Sequence, residues 1–524
     1  MRKLILALLI LAPAAAEAAP PRGFDARVEA VRRQVGAPGV AVAIVENGKV
    51  TLARGYGAKT LSGGDRVDSD TLFQIGSVTK GFTTAALATL VDEGKLGWDD
   101  KVIDHLPSFR MYDPWVTREM TVRDLLVHRS GLGPGQGDLM LVPATNLSRA
   151  ETVRRLRFLK PATSFRSAYA YDNVLYIVAG ELIEAVTGQP WEIYVRDRLF
   201  QPAGMANSVT NDLDRFAAAN RALPHGRTAG ELRGMGPQAA LDEKAVAISP
   251  NAGPAGSIAS TAEDMGRWLA VQLAAGQAPG GARVFSAASG AEMWKPVVPV
   301  PIITFSGALP PATPSFRNYG LGWTIQDYRG HRIVQHGGAT LGFRATMMMI
   351  PEKNVGFVVM TNSEETALIQ GLQYELADHY LGLPRRDWAA AFGGWLDKRN
   401  AEAVAAVQAA SRVRPPASKP SLAPSGYAGR YEDPWYGPIA VRQDGDGLVV
   451  DFLQSPGMTG RLEHWAYDTF VARWRDPTTE PAFVTFSLSP DGKPERVTMK
   501  AVSPVADFSY DYQDLLFTPV ASGR

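Results

Sequence analysis

Phe73-Gln74-Ile75-Gly76-Ser77-Val78-Thr79-Lys80 opens an apolar run that continues to Glu93. Gly76 allows a tight entry, and the spacing predicts a helix from about Val78 to Glu93. Ser77 sits at its mouth. Lys80 lies three residues on, so both side chains project from one helical face. An amine beside a serine oxygen can make a nucleophile without histidine. Taken alone, the pair reads more simply as a helix cap beside a solvated lysine. The rest of the chain decides between the two.

Working outward, Phe24 to Val35 carries a helical stripe of Phe24, Val28, Val31 and Val35. Gly39 to Val45 is a buried-strand pattern. Glu46-Asn47-Gly48 is a hairpin turn, and Lys49 to Gly57 is the returning strand. A helical stretch follows the Ser77 helix. Thr121 to Leu126 is expected to begin a helix through a Thr121–Asp124 capping pattern. A glycine-rich loop comes after His128-Arg129-Ser130-Gly131-Leu132. Tyr171-Asp172-Asn173 precedes an apolar helix, Val174 to Val186. Residues 211–250 read as a polar insertion or lid. From Tyr319 the pattern turns to strands, ending at Met360, and Glu365 to Tyr380 closes the unit as a helix.

This order gives an α+β fold. An antiparallel sheet takes its first two strands from the N-terminus and the rest from much later, with a mostly helical region inserted between them. Trp388 to Val413 reads as a further helix, followed by a proline-rich linker. Beyond the linker, roughly eight short strand patterns fit a small antiparallel β-barrel. The domain expectation is a signal peptide (1–18), a hydrolase-like unit (19–385), a helix and linker (386–425) and a barrel (426–524).

The 524-residue chain has 45% hydrophobic and 20% charged residues, as expected of a globular protein. A net charge of +1 leaves no electrostatic footprint for nucleic acid. With no cysteine, disulfides, thiolate metal sites and a cysteine nucleophile are excluded. Arg2 and Lys3, the apolar Leu4 to Leu11 and Ala16-Glu17-Ala18 have the form of a secretory signal, which predicts a periplasmic or secreted protein. No later segment approaches the length of about 18 apolar residues that a transmembrane helix needs.

The seven histidines form no metal-binding spacing, so neither a metal nor another cofactor is expected. There is no phosphate-binding glycine loop and no G-x-S-x-G elbow. Three pieces remain: Ser77-x-x-Lys80, Tyr171-x-Asn173 and His336-Gly337-Gly338. Each has a plain structural reading, as a cap, a packed aromatic and a strand-end bulge. Together they make a consistent site. Lys80 or Tyr171 would take the Ser77 proton, and Asn173 would hydrogen-bond Lys80 and a substrate amide. The glycine-bordered strand at Gly338 would let substrate lie alongside it. The Ser77 and Ala339 N–H groups would form an oxyanion hole.

The ordered triple resembles the serine β-lactamase-like family, which includes class C β-lactamases, DD-carboxypeptidases, D-aminopeptidases and certain esterases. His128 to Leu132, Pro254-Ala255-Gly256, Tyr319 to Trp323 and Gly342-Phe343 carry the resemblance further, over about Phe24 to Leu383. It implies Ser77 as the acylated nucleophile, Lys80 and Tyr171 sharing proton transfer, and Asn173, His336, Gly338 and Ala339 binding substrate. His336 replaces the lysine of the Lys-Thr-Gly form, which points away from β-lactams. The tail from about Gly426 resembles a lipocalin-like domain, mainly through Tyr427-Ala428-Gly429-Arg430-Tyr431. The expected activity is hydrolysis of small peptides or amides through an acyl-enzyme. A carboxylesterase and a penicillin-recognising or peptidoglycan-binding protein are the alternatives. Partners are a small-molecule or peptide substrate, with homo-oligomerisation left open.

Overall fold

The computed structural model describes residues 20–412 and 418–520. The signal sequence, Val413 and the first part of the linker lie outside these. Helix α1 (Phe24–Val35) leads into strands β1 (Gly39–Glu46) and β2 (Lys49–Gly57). The helical region follows and includes α2 (Thr79–Asp92), α3 (Val174–Thr187) and α4 (Ala262–Leu273). The chain then returns through β3 (Val298–Pro299), β4 (Arg317–Tyr319), β5 (Thr324–Tyr328), β6 (His331–Thr340), β7 (Phe343–Ile350) and β8 (Val355–Thr361). Helix α5 (Thr366–Tyr380) covers the sheet, and α6 (Trp388–Arg412) packs on α5.

The sheet order is β2-β1-β8-β7-β6-β5-β4-β3, antiparallel throughout. N-terminal β1 therefore pairs with the last strand, Val40 opposite Thr361. Every residue of β1 is buried because both faces of the sheet are covered. Ala41, Ala43 and Val45 enter the core shared with the helical region. Val40, Val42 and Ile44 enter a second core with α1 and α5. The alternation of one strand thus feeds two cores.

Helix α2 is buried on all sides from Thr79 to Leu90, as its unbroken apolar character requires. Thr121 and Asp124 do cap one another: the Thr121 N–H donates to Asp124 Oδ2 at 3.0 Å and the Asp124 N–H to Thr121 Oγ1 at 3.3 Å. The expected helix is nonetheless only a 3₁₀ turn, Asp124–Leu126. His128 follows with φ 58°, a left-handed conformation in which no α-helix continues.

Beyond α6 lie eight strands, β9 (Gly429–Asp433), β10 (Gly437–Asp444), β11 (Gly447–Phe452), β12 (Thr459–Ala466), β13 (Thr469–Trp474), β14 (Ala482–Leu488), β15 (Pro494–Ala501) and β16 (Leu516–Pro519). They close into an antiparallel barrel in sequence order. The barrel docks on the helical region. The Asn146 N–H donates to Gln454 O at 2.8 Å, and Arg155 donates to the carbonyls of Trp435 and Tyr436. The β15–β16 connection reaches furthest: Asp511 accepts the N–H groups of Gly137 (2.6 Å) and Leu139 (3.0 Å). Among the described residues no helix is long and apolar enough to cross a membrane.

Candidate active site

Ser77 lies in a single 3₁₀ turn, Gly76–Val78, at the entry to α2. The turn is held against β6. Gly76 has φ 51°, and a Cβ there would come within 2.6 Å of the Ala339 nitrogen. A Cβ on Gly338 would strike the Ile75 carbonyl and come to 3.1 Å from the Ser77 nitrogen. Only glycine permits this approach, which sets the backbone of Ser77 beside that of Ala339.

Lys80 is fully buried because α2 is a core helix. Its Nζ lies 3.0 Å from Ser77 Oγ, 2.7 Å from Asn173 Oδ1 and 3.0 Å from Ala255 O. Burial pushes its pKa down to about 7, against the pull of Asp138 and Asp172. In the neutral amine two N–H groups serve Asn173 and Ala255, and the lone pair is left for the Ser77 hydroxyl.

Tyr171 brings its hydroxyl to Ser77, and Lys80 Nζ stands 4.9 Å from the centre of its ring. Burial raises the phenol well above its usual value, so the resting tyrosine is protonated. Asn173 sits at the start of α3, next to Asp172, which accepts the Leu175 N–H at 3.3 Å. The Asn173 amide is used twice: Oδ1 faces Lys80, and Nδ2 donates to Asp138 Oδ2 at 2.7 Å.

His336 is placed differently from a substrate-facing residue. Its Nδ1–H donates to the Gly337 carbonyl at 2.6 Å, which makes Nε2 an acceptor for the Tyr319 hydroxyl at 2.8 Å. Burial lowers its pKa to about 3, so the ring is neutral. Both nitrogens are occupied within the protein. Ser77, Asn173 and Ala339 line a cleft, and His336 and Gly338 are not among its lining residues.

Several residues of the cleft are not apparent from sequence motifs. Asp138 is buried in the glycine-rich loop, and its Oδ2 also accepts the Ser509 hydroxyl at 2.8 Å. Ser509 and Asp507 bring the barrel into the cleft, and Arg344 on β7 adds a cation. Arg344 Nη1 is held by the carbonyls of Thr340 (2.8 Å) and Phe343 (2.9 Å). Phe508 lies edge-on to Tyr171, with ring centres 5.8 Å apart. The predicted lid contributes Ala245 to Ile248 to the same wall. His128 supports the rings behind: its centre lies 4.3 Å from that of Tyr171 and 4.5 Å from that of Tyr319.

The partly exposed Ser77 and the buried Lys80 stand together at the junction of the antiparallel sheet and its helical insert. The Beta-lactamase family model matches residues 24–377, and a domain of unknown function (DUF3471) matches 413–519. The chain belongs to the beta-lactamase family of serine hydrolases. It is 30% identical over 488 residues to "Unguisins hydrolase ungD" of Aspergillus violaceofuscus, covering 88% of this chain and 84% of that one. It is 33% identical over 353 residues to "Penicillin-binding protein 4" of Amycolatopsis lactamdurans, covering 65% and 84%. The octameric penicillin-binding protein homologue from Pyrococcus abyssi shares the fold, with a TM-score of 0.58 at 20% identity over 92% of this chain and 98% of that chain.

Proposed function

We propose that the protein is an exported serine hydrolase that cleaves small peptides or amides through an acyl-enzyme on Ser77. The observation that carries this reading is the 3.0 Å approach of a fully buried Lys80 amine to Ser77 Oγ. A lysine at its reference pKa near ~10.4 is a poor base at neutral pH, and burial removes that obstacle. The similarity to a relative named as a hydrolase of unguisins supports hydrolysis over binding alone. The N-terminal charged and apolar segments support export.

Ser77 Oγ gives its proton to Lys80 Nζ and attacks the substrate carbonyl carbon. The tetrahedral oxyanion is received by the N–H groups of Ser77 and Ala339. Tyr171, protonated at rest and close to Ser77, passes a proton to the leaving amine and recovers one from the Lys80 ammonium. The C–N bond breaks and an ester on Ser77 remains. Water then loses a proton to Lys80 and attacks that ester, and Ser77 Oγ leaves with the proton. Asn173 holds Lys80 in place throughout. The neutral, internally bonded His336 offers no fixed charge to a β-lactam carboxylate, which supports amide substrates.

The test is labelling by a fluorophosphonate probe together with turnover of aminoacyl p-nitroanilides and p-nitrophenyl esters. Wild type should be labelled and should turn over the anilides, and Ser77→Ala should do neither. Equal labelling of Ser77→Ala and wild type would overturn the assignment.

A further inference from the structure

Asp138 is 1% exposed, and only half of its carboxylate is engaged. Oδ2 accepts from Asn173 and Ser509. Among the described residues Oδ1 has no hydrogen-bond partner, and it is buried, in a residue that lines the Ser77 cleft. Leaving a buried acceptor unpaired is destabilising, and more so for a charged one. Other buried acids nearby are satisfied within the protein: Asp511 takes two backbone N–H groups, and Asp172 takes the Leu175 N–H and the Ser130 hydroxyl. The unpaired oxygen of Asp138 is therefore the acceptor that a donor arriving with the ligand would satisfy.

The surroundings define that donor. Asp507 and Ser509 line the cleft with Asp138; its cations are Arg233, which is paired with Glu364, and Arg344, which lies beside Ala339 and Thr340. A carboxylate or carbonyl presented to Asp138 would be repelled. Lys80 is linked to Asp138 through Asn173 and is itself engaged by Asn173, Ala255 and Ser77, so it does not fill the place. A compact cation suits an open carboxylate oxygen beside a second acid.

Resting on the acyl-enzyme reading above, we propose that Asp138 selects substrates with a free amine next to the scissile carbonyl, its Oδ1 receiving that ammonium group. Ser509, donated by the barrel, is a positioning residue that holds Oδ2 and leaves Oδ1 without a partner. An α-amine is two bonds from the carbonyl carbon that Ser77 attacks, so one cleft can hold both. On this account the protein is of the aminopeptidase type, and N-acylated peptides are poor substrates.

The test compares alanine p-nitroanilide with N-acetyl-alanine p-nitroanilide, in D and L forms, by the ratio of their kcat/KM values. Wild type should favour the free amine about tenfold or more, because a site built around a buried polar group rejects ligands that leave it unpaired. Asp138→Asn should reduce that preference about tenfold, mostly through KM of the free amine. Ser509→Ala should shift it in the same direction by less. A wild type that favours the N-acetyl substrate, or an Asp138→Asn preference equal to wild type, overturns the proposal. If Asp138→Asn does not fold, the wild-type ratio and Ser509→Ala decide. Fluorophosphonate labelling separates the two claims: a labelled wild type without amine preference defeats only the role of Asp138, while an unlabelled wild type defeats the acyl-enzyme reading.

Discussion

Ser509 donates a 2.8 Å hydrogen bond to Asp138 across 371 residues of sequence. Asp138 in turn accepts from Asn173, and Asn173 accepts from Lys80, which faces Ser77. One chain of hydrogen bonds therefore runs from the C-terminal barrel to the serine. Phe508 packs on Tyr171 beside it. The barrel completes the cleft as well as packing against the helical region.

Asp511 is the anchor of this junction. Replacing it with alanine leaves the buried N–H groups of Gly137 and Leu139 without their acceptor. Asp511→Ala should lose about 1–3 kcal/mol in denaturant unfolding and should also lower kcat, because the freed loop carries Asp138. Arg473→Ala, an exposed barrel ion-pair change, should alter neither by much. An Asp511→Ala enzyme with wild-type kcat would show that the barrel contact is structural only.

Lys80 fixes the pH dependence. Its amine must be neutral to accept the Ser77 proton, and burial brings its pKa to about 7. The neutral fraction grows with pH, so kcat/KM should rise through an acid limb near pH 7 and level off above it. Lys80→Arg keeps the charge but supplies no base, and should lose about 10²–10⁴ in rate. An acid limb at the ordinary carboxylate range, unchanged in Lys80→Arg, would move the base elsewhere.

The parts of this site that were legible in the sequence are those with local spacing. Ser77 and Lys80 share a turn, Tyr171 and Asn173 bracket a helix start, and β6 announces itself by Gly337 and Gly338. The burial of Lys80 also had a signal in the unbroken apolar run of α2. Asp138 had none: in sequence it is one acid in a glycine-rich loop, and its environment comes from Asn173 and from Ser509 on a different domain. The orientation of His336 was equally hidden, because it depends on Tyr319 reaching it from β4. Thr121 and Asp124 announced a helix start, but nothing local told that His128 would end it so soon.

Gly337 and Gly338 separate a close approach from simple strand glycine. At Gly337 the nearest atom to an added Cβ is Ala345 O at 3.9 Å, and Gly337→Ala should fold and turn over much like wild type. At Gly338 the Cβ would run into the backbone of Ile75, so the Ser77 turn and β6 must move apart. Gly338→Ala should cost about 1–3 kcal/mol in stability and about 10²–10³ in kcat, the loss typical of a misplaced oxyanion donor. Equal activity of the two variants would exclude the pairing of Ser77 and Ala339 as oxyanion donors.

Asp138 and Lys80 are both held away from their ordinary pKa values by burial, in opposite directions, and this yields a prediction with a definite sign. The Asp138 carboxyl is pushed up to about 7 from 3.8, so between these values the folded protein binds the proton that the unfolded chain has released. Stability from this group is present below about pH 4 and is lost as pH rises towards 7, by about 1.4 kcal/mol per pH unit at the steepest. Asp138→Asn removes the titration, so its stability relative to wild type should increase from pH 5 to pH 8. The same substitution removes a negative charge that favours the Lys80 ammonium. The acid limb of kcat/KM should therefore move to lower pH in Asp138→Asn. A stability difference that is flat with pH would mean that the folded Asp138 carboxyl is ionised over this range as it is in the unfolded chain, and an acid limb that does not move would mean that its charge does not act on Lys80.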